Sequence, residues 1–287
     1  MIINGNCFYE LDKLDEESVQ CLVTSPPYWN LRDYQTAPIQ WADGELCQLG
    51  QEDTPEAFIG HLVEIFSKVK RILKKDGVIF VNLGDTYFGP SGGHWDSDNS
   101  VTNSKTGENY RMGRPAPKKH VYLKTKDLVG IPWKFAIEMQ KDGWYLRNDI
   151  IWSKPNPMPE AVRDRCAKSH EHIFMLTKSP KYYFDYEAIK EKSVNPGDPD
   201  KVKKDVWRIN TSSYKGAHFA VYPEELVIPC IKAGSREGDI VIDIFGGSGT
   251  TGLIAKRLRR KYILIELNEE YIPLINKRLN LEQTELF

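Results

Sequence analysis

The sequence contains no long apolar run. None of its stretches approaches the roughly 20 consecutive apolar residues that a membrane-spanning helix requires. The N-terminus, MIINGNCFYEL, also lacks the basic region that opens a secretory signal peptide. These absences predict a cytoplasmic protein without a membrane partner.

Cysteine is scarce and scattered. The chain has five cysteines, an odd number, and none of them form a C-x-x-C pair. This pattern argues against a disulfide framework or a zinc site and favours reduced thiols in a cytosol. We therefore expect no metal centre. The five are Cys7, Cys21, Cys47, Cys166 and Cys230.

An excess of either charge is also missing. The formal net charge is -1, whereas a simple nucleic-acid binder usually carries a basic footprint. The composition thus permits a DNA partner without requiring one. Hydrophobic residues make up 40% of the chain and charged residues 28%, which is ordinary for a protein that buries a real core. A length of 287 residues allows one large α/β domain or two modest ones.

Both ends of the chain alternate apolar strands with amphipathic helices. VQCLVT (19–24) is predicted to be a strand, and 55–73 a helix whose apolar residues recur at helical spacing. Asp76-Gly77 is expected to stop that helix before a buried strand, GVIFVNL. This alternation predicts an α/β fold with a doubly wound, mostly parallel sheet. The C-terminal elements are expected at 223–233, 240–244, 250–259, 262–266 and 269–279.

A polar segment interrupts this pattern at residues 86–125. It is rich in Gly, Ser, Asn, Lys and Pro, and a loop this long inside a compact domain is usually functional or disordered. A helix at 132–141 and strands at 145–152 and 173–176 are predicted to follow.

The stretch DIFGGSGTTG carries a ligand-binding pattern. Gly247, Gly249 and Gly252 satisfy G-x-G-x-x-G between a predicted strand and a predicted helix. Glycines let the backbone approach a ligand closely, and the helix N-terminus offers N–H groups to an anion. Glu266 ends the next strand, where a carboxylate can accept hydrogen bonds from ribose hydroxyls. We therefore expect a ligand that contains a nucleoside.

Three classes of ligand compete for this turn. A nucleoside triphosphate is disfavoured, because the Lys-Ser/Thr pair of a Walker loop is missing after the last glycine. A nicotinamide or flavin dinucleotide is compatible with the glycines alone. S-adenosylmethionine is preferred, because the carboxylate of Asp243 precedes the turn and would attract an ammonium group but repel a pyrophosphate. A tight turn that binds nothing is the remaining alternative.

A second unusual stretch, TSPPYW (24–29), follows directly on the first strand. Two prolines cannot continue a hydrogen-bonded ladder, so the strand must end there. The stretch is either a rigid turn under an aromatic lid or a platform that holds a flat ring. In a parallel sheet it would share the carboxyl edge with the glycine turn, where ligands bind.

The two motifs together resemble those of the bacterial amino-group DNA methyltransferases. That family combines (D/N/S)-P-P-(Y/F/W) with an F-x-G-x-G loop, and this chain has Ser25 to Tyr28 and Phe245 to Gly249. The catalytic motif comes first, which resembles the circularly permuted beta class. The resemblance implies a Rossmann-like, S-adenosylmethionine-dependent methyltransferase fold with loop insertions for DNA recognition. It extends over INGNCFYELDKL, SKPNPMPEAVRDR, SHEHIFMLTKS and HFAVYPEELVIPCIKAG.

The resemblance also implies catalytic roles. Ser25, through its hydroxyl, and Pro26, through its carbonyl, would accept the two hydrogens of the target amine. Pro27 would keep the turn rigid, and Tyr28 would stack on the base. The reaction implied is transfer of a methyl group from S-adenosylmethionine to a base flipped out of double-stranded DNA.

Cofactor roles follow from the same resemblance. Asp243 would lie near the methionine part, and Glu266 would hold the ribose. Asn6 and Cys7 would lie along the adenine, although the family often has an aspartate at the position of Asn6. The methionine part would be cradled by Phe245, Gly246, Gly247, Ser248, Gly249 and Thr250, with His218 and Tyr222-Pro223 beside them.

The resemblance favours cytosine, at its 4-amino group, because SPPY is commoner in the enzymes that methylate cytosine and DPPY in those that methylate adenine. Adenine, at its 6-amino group, is the close alternative. Methylation of RNA or of a protein amide, a dinucleotide-dependent oxidoreductase and a catalytically silent DNA-binding protein are further alternatives. The resemblance to enzymes of bacterial modification systems also implies a possible partner, a cognate restriction endonuclease that acts separately.

We predict a single catalytic domain over residues 1–287. Within it, 153–213 is the predicted target-recognition region and 214–287 the cofactor-binding part; 86–125 and 153–213 are the candidates for DNA contact. Pro229-Cys230 resembles the nucleophile of ring-carbon cytosine methyltransferases, but it lies on an apolar helix face before the glycine turn. We therefore interpret Cys230 as a core residue.

Overall fold

The computed structural model divides the chain into two compact units. The first unit comprises Met1–Ser25, Lys68–Asn82 and Gly143–Phe287, and the second comprises Pro26–Ser67 and Leu83–Asp142. The predicted single catalytic domain and its functional regions stay predictions. The residues that the structure describes are 1–31, 36–89, 100–102, 109–111, 119–193, 195, 197–211 and 222–284.

The regular elements alternate along the chain. The strands are β1 (Ile2–Asn4), β2 (Val19–Thr24), β3 (Ile39–Gln40), β4 (Leu46–Cys47), β5 (Leu73–Leu83), β6 (Ser100–Thr102), β7 (Asn109–Arg111), β8 (Tyr145–Ser153), β9 (His170–Thr177), β10 (Val206–Arg208), β11 (Ile240–Asp243) and β12 (Lys261–Glu266). The helices are α1 (Cys7–Glu10), α2 (Pro55–Ile72), α3 (Ile131–Lys141), α4 (Glu224–Gly234), α5 (Thr250–Arg257) and α6 (Tyr271–Thr284), with short 3-10 turns at Leu11–Lys13 and Glu187–Ile189.

An eight-stranded sheet forms the centre of the first unit, in the order β1-β12-β11-β2-β5-β9-β8-β10. The pairs β1–β12, β12–β11, β11–β2, β2–β5 and β8–β10 are parallel, whereas β8–β9 is antiparallel. Every residue of β2 is buried, as are residues 78–83 of β5. Strands whose consecutive residues are all buried in this way are covered on both faces. The predicted doubly wound, mostly parallel sheet is confirmed.

Two apolar clusters cover the sheet. The larger one joins β2, β5, β8, β9 and β11 to the buried faces of α4 and α5. The smaller one packs Leu253 of α5 and Leu264 of β12 against Ile275 and Leu279 of α6. Cys230 belongs to the larger cluster and is 1% exposed, so its interpretation as a core residue is confirmed.

The prediction that Asp76-Gly77 stops the first long helix is wrong. α2 ends at Ile72, and β5 begins at Leu73, so both residues lie inside the strand. Leu73 pairs with Val19 and Val78 with Cys21, and the register shifts between these pairs. The dipeptide therefore occupies an irregularity in β5, a place where glycine is common in strands.

In the second unit, α3 and the N-terminal part of α2 pack through Phe66 and Phe135, whose ring centroids lie 5.4 Å apart. Asp85 accepts hydrogen bonds from the backbone N–H groups of Gly130 and Ile131 at 3.0 Å, which caps the start of α3. Most of the predicted insertion at 86–125 falls outside the described residues. Among the described helices, none has both the length and the apolarity that crossing a membrane requires.

Candidate active site

Four neighbouring parallel strands of the first unit end at the same edge of its sheet. Their last residues are Asn4 of β1, Glu266 of β12, Asp243 of β11 and Thr24 of β2. Ligands bind beyond this edge in doubly wound sheets. The structure therefore brings the predicted carboxylates and the residue that precedes Ser25 to one place.

The glycine loop between β11 and α5 has the backbone conformation that the sequence predicts. Gly247 and Gly249 have φ of 50° and 80°, which favours residues without a Cβ. A Cβ on Gly249 would lie 3.0 Å from the Ile275 side chain, whereas a Cβ on Gly247 would meet nothing nearer than 3.8 Å. Gly252 packs on β12, since a Cβ there would lie 2.7 Å from Leu264. The loop is therefore tight on its core side and open at Gly247.

Arg278 of α6 contacts this loop through hydrogen bonds, a role that the sequence did not predict. Its guanidinium donates to the hydroxyls of Ser248 and Thr250, both at 2.9 Å, and to Glu224 at 3.1 Å. Both hydroxyls are buried and accept from Arg278, which fixes the orientation of the loop. A basic residue in a helix 28 positions downstream gives no local signal of such a role.

Glu266 lies where a ribose-binding carboxylate was predicted, and the protein already orients it. Its carboxylate accepts the backbone N–H of Gly247 at 2.6 Å and that of Asn268 at 2.8 Å. The side chain is nearly buried, and burial raises the pKa of Glu266 to about 7. Its charge state therefore changes near neutral pH.

Asn6 and Cys7 follow β1 beside this carboxylate, because Asn4 pairs with Glu266. The side-chain oxygen of Asn6 accepts the N–H of Phe8 at 3.0 Å and so caps α1. Cys7 is buried, and burial raises the pKa of its thiol to about 12. Cys7 can thus form an apolar wall but not a thiolate. The capping role of Asn6 was not predicted.

Asp243 is buried and accepts four hydrogen bonds. Thr24 donates at 2.6 Å, Tyr222 at 2.7 Å, Thr251 at 2.8 Å and the N–H of Phe245 at 3.1 Å. Burial raises the pKa of Asp243, and the hydrogen bonds oppose that rise. The carboxylate thus connects β2, α5 and the segment at Tyr222. His218, predicted beside Tyr222, lies outside the described residues.

The predicted catalytic motif crosses from one unit to the other at the bond between Ser25 and Pro26. Ser25 directly follows Thr24 and is partly exposed, as are Pro27 and Tyr28, whereas Pro26 is buried. Partial exposure is compatible with the predicted contact of Ser25 and Tyr28 with a base.

Among the described residues, Glu45, Cys47 and His61 have possible metal-ligand atoms within 4.8 Å of one another. The two ring nitrogens of His61 lie 3.0 Å from Glu52 and 3.1 Å from Asp43. Each nitrogen is therefore within hydrogen-bonding distance of a carboxylate, without a metal ion. His172 likewise bonds Asp149 at 2.9 Å.

A family model described as DNA methylase (N6_N4_Mtase) matches residues 19–277. The chain belongs to this DNA methylase family. It is 47% identical to the type II methyltransferase M.SmaI of Serratia marcescens over 278 residues, which cover 97% of this chain and 90% of that protein. The predicted resemblance to amino-group DNA methyltransferases is therefore confirmed.

Solved structures agree on the fold. The PvuII DNA methyltransferase, described as cytosine-N4-specific, has a TM-score of 0.69 at 21% identity and covers 97% of this chain and 85% of its own. The putative DNA modification methylase TTHA0409 of Thermus thermophilus, complexed with S-adenosyl-L-methionine, has a TM-score of 0.60 at 24% identity and covers 98% of this chain and 93% of its own. Both share the methyltransferase fold predicted for this chain.

Proposed function

We propose that this DNA methyltransferase moves a methyl group from S-adenosylmethionine to the 4-amino group of a flipped cytosine in double-stranded DNA. The observation that carries the proposal is the hydrogen bond of 2.6 Å between Thr24 and Asp243. It joins the residue before Ser25 to the residue that precedes the glycine loop. This contact supports a reaction that needs the target base and the cofactor close together.

The residues at this edge fit the cofactor. Gly247 leaves open space beside the loop backbone, and Glu266 is held by two backbone N–H groups with its carboxylate near the loop. Glu266 would accept from the ribose hydroxyls, and Asn6 and Cys7 would lie along the adenine. The loop from Phe245 to Thr250 would line the methionine part. When bound, the sulfonium supplies an electrophilic methyl group.

The platform supplies the chemistry at the base. The exocyclic amine of cytosine is a poor nucleophile, because its lone pair is delocalised into the ring. The hydroxyl of Ser25 and the carbonyl of Pro26 accept the two amine hydrogens and direct that lone pair toward the methyl group. The ring of Tyr28 stacks on the flipped base, a contact worth about 1–3 kcal/mol.

Proton removal needs no strong base in this scheme. A serine hydroxyl is a weak base, so the proton leaves to water after the methyl group has been transferred. Positioning and electrostatics then carry a direct transfer without a covalent enzyme intermediate. Burial raises the pKa of the Cys230 thiol, which agrees with a path that involves no cysteine nucleophile.

The test is the identity of the product. The purified protein is incubated with unmethylated duplex DNA and S-adenosylmethionine, and the DNA is digested to nucleosides for mass spectrometry. We expect 4-methylcytosine. 6-Methyladenine would keep the mechanism and overturn the choice of base. If no methylated nucleoside forms in several DNAs despite confirmed cofactor binding, the proposed function is wrong.

A further inference from the structure

A buried carboxylate that the mechanism does not use lies in the second unit, beneath the segment at residues 26–31, which we call the Tyr28 loop. Glu52 is 1% exposed. One of its oxygens accepts the N–H of Gly50 at 2.8 Å, and the other lies 3.0 Å from the ring nitrogen Nδ1 of His61. A buried carboxylate with defined partners requires an explanation, because burying a charge is costly.

Residues 50–52 touch the Tyr28 loop at several points. The carbonyl of Gly50 accepts the N–H of Asn30 at 2.8 Å, and the carbonyl of Glu52 accepts the indole N–H of Trp29 at 3.0 Å. Gly50 has φ of 91°, and a Cβ there would lie 3.4 Å from the carbonyl oxygen of Tyr28. Residues 50–52 therefore form a support on which the Tyr28 loop rests.

His61 anchors this support to α2. Its second ring nitrogen lies 3.1 Å from Asp43, and the indole of Trp41 stacks on its ring at 4.1 Å. Burial lowers the pKa of His61, but the hydrogen bonds to Glu52 and Asp43 raise it by more, so the pKa lies above its usual value. The ring can donate from both nitrogens only as an imidazolium. Burial also raises the pKa of Glu52, so the hydrogen bond between its carboxyl group and Nδ1, and not a full ion pair, defines this contact.

We propose that Glu52, oriented by His61, is a positioning residue that holds the Tyr28 loop in the shape required to stack on the target base. The inference rests on the proposed function, since it assigns a role in that reaction. Glu52 itself touches neither substrate nor cofactor in this scheme. Its carboxylate acts through the backbone N–H of Gly50, and its backbone carbonyl holds the indole of Trp29.

The decisive variant is Glu52→Gln, which keeps the volume of the side chain. Gly50 and His61 contact different oxygens of the Glu52 carboxylate, so in the amide one of them meets an NH₂ group in place of an acceptor. We expect hydrogen exchange of the amides at 28–31 to become about tenfold faster in the protein without DNA; Pro26 and Pro27 carry no amide hydrogen. We also expect kcat for DNA methylation to fall by about 10- to 100-fold, because small displacements of aligned groups are costly.

Cofactor affinity is the internal reference. The predicted cofactor residues belong to the first unit, so the Kd for S-adenosylmethionine should stay within about twofold of the unmodified protein. Glu64→Gln is the matched control, because Glu64 lies on the same helix as His61 and its carboxylate accepts the N–H of Ala42 at 3.4 Å. This control should change neither the exchange at 28–31 nor kcat.

Trp29→Phe is an independent variant in case Glu52→Gln does not fold. It keeps an aromatic ring and removes the N–H that reaches Glu52, so it should move exchange and kcat in the same direction by smaller factors. Unchanged exchange at 28–31 in the folded variants would overturn the inference, whatever the value of kcat. Faster exchange with unchanged kcat would reduce Glu52 to a structural residue. If the unmodified protein methylates no base, the proposed function fails instead.

Discussion

The hydroxyl of Thr24 donates a hydrogen bond of 2.6 Å to the carboxylate of Asp243, across 219 positions of sequence. Thr24 ends β2 directly before Ser25, and Asp243 ends β11 directly before the glycine loop. Both side chains are almost completely buried. The bond thus connects the predicted base-binding motif to the predicted cofactor loop through the interior of the first unit.

Thr24→Val tests this connection with little change in shape. The variant leaves Asp243 with one donor fewer, and we expect the free energy of unfolding to fall by about 1–3 kcal/mol. We expect a larger relative effect on methyl transfer, because Ser25 is displaced from the cofactor loop. Urea denaturation and single-turnover kinetics measure the two effects.

Thr177→Val is the matched control for that variant. Thr177 is also a buried threonine at the end of a strand, and its hydroxyl donates to the carbonyl of Ser179 at 2.9 Å. It should lose stability to a similar degree but retain the transfer rate. Equal losses of rate in both variants would contradict a specific role for Thr24.

Cofactor affinity should depend on pH through Glu266. Burial raises the pKa of this carboxyl to about 7, so the carboxylate that would accept from ribose hydroxyls predominates only above that pH. We expect the Kd for S-adenosylmethionine to rise as the pH falls from about 8 to about 6. Calorimetric titration measures it, and Glu266→Gln should bind weakly with no such dependence. Equal pH profiles for both proteins would refute the assignment.

Gly249→Ala should damage the cofactor loop beyond the cost of its backbone conformation. Gly249 has φ of 80°, and the new Cβ would lie 3.0 Å from Ile275. Gly238 has φ of 84° with nothing within 4 Å, so Gly238→Ala isolates the backbone cost of about 1–2 kcal/mol. We expect only Gly249→Ala to weaken cofactor binding, as measured by calorimetry. Equal binding by the two variants would show that the contact with Ile275 is unimportant.

Removing the side chain of Arg278 should make the glycine loop between β11 and α5 less rigid. In Arg278→Ala, Ser248 and Thr250 lose their shared cationic donor, and we expect the Kd for S-adenosylmethionine to rise about tenfold. Arg257→Ala is the control, because Arg257 pairs with the other oxygen of the same Glu224 carboxylate. A similar loss in both variants would assign the effect to Glu224.

The sequence was sufficient for the fold because its central strands are buried on both faces. β2 and the second half of β5 are therefore mostly apolar, and the glycine loop needs residues that tolerate positive φ. The end of α2 was missed because Asp76-Gly77, a usual helix stop, instead occupies a register shift in β5.

The site was predictable only where its residues form local motifs. Thr24, Arg278 and Glu52 contact residues that are brought near by folding, and no spacing in the sequence predicts these contacts. The role of Asn6, in contrast, is local: an asparagine before a helix commonly caps that helix, and Asn6 caps α1.

The most direct measurement compares the unmodified protein with Ser25→Ala in reactions with methyl-labelled S-adenosylmethionine and unmethylated duplex DNA. We predict labelled 4-methylcytosine from the unmodified protein. From Ser25→Ala we predict a rate at least about 100-fold lower, with cofactor affinity unchanged. Labelled 4-methylcytosine formed by Ser25→Ala at the full rate, or no labelled base from the unmodified protein, would contradict the catalytic role of the Ser-Pro-Pro-Tyr platform.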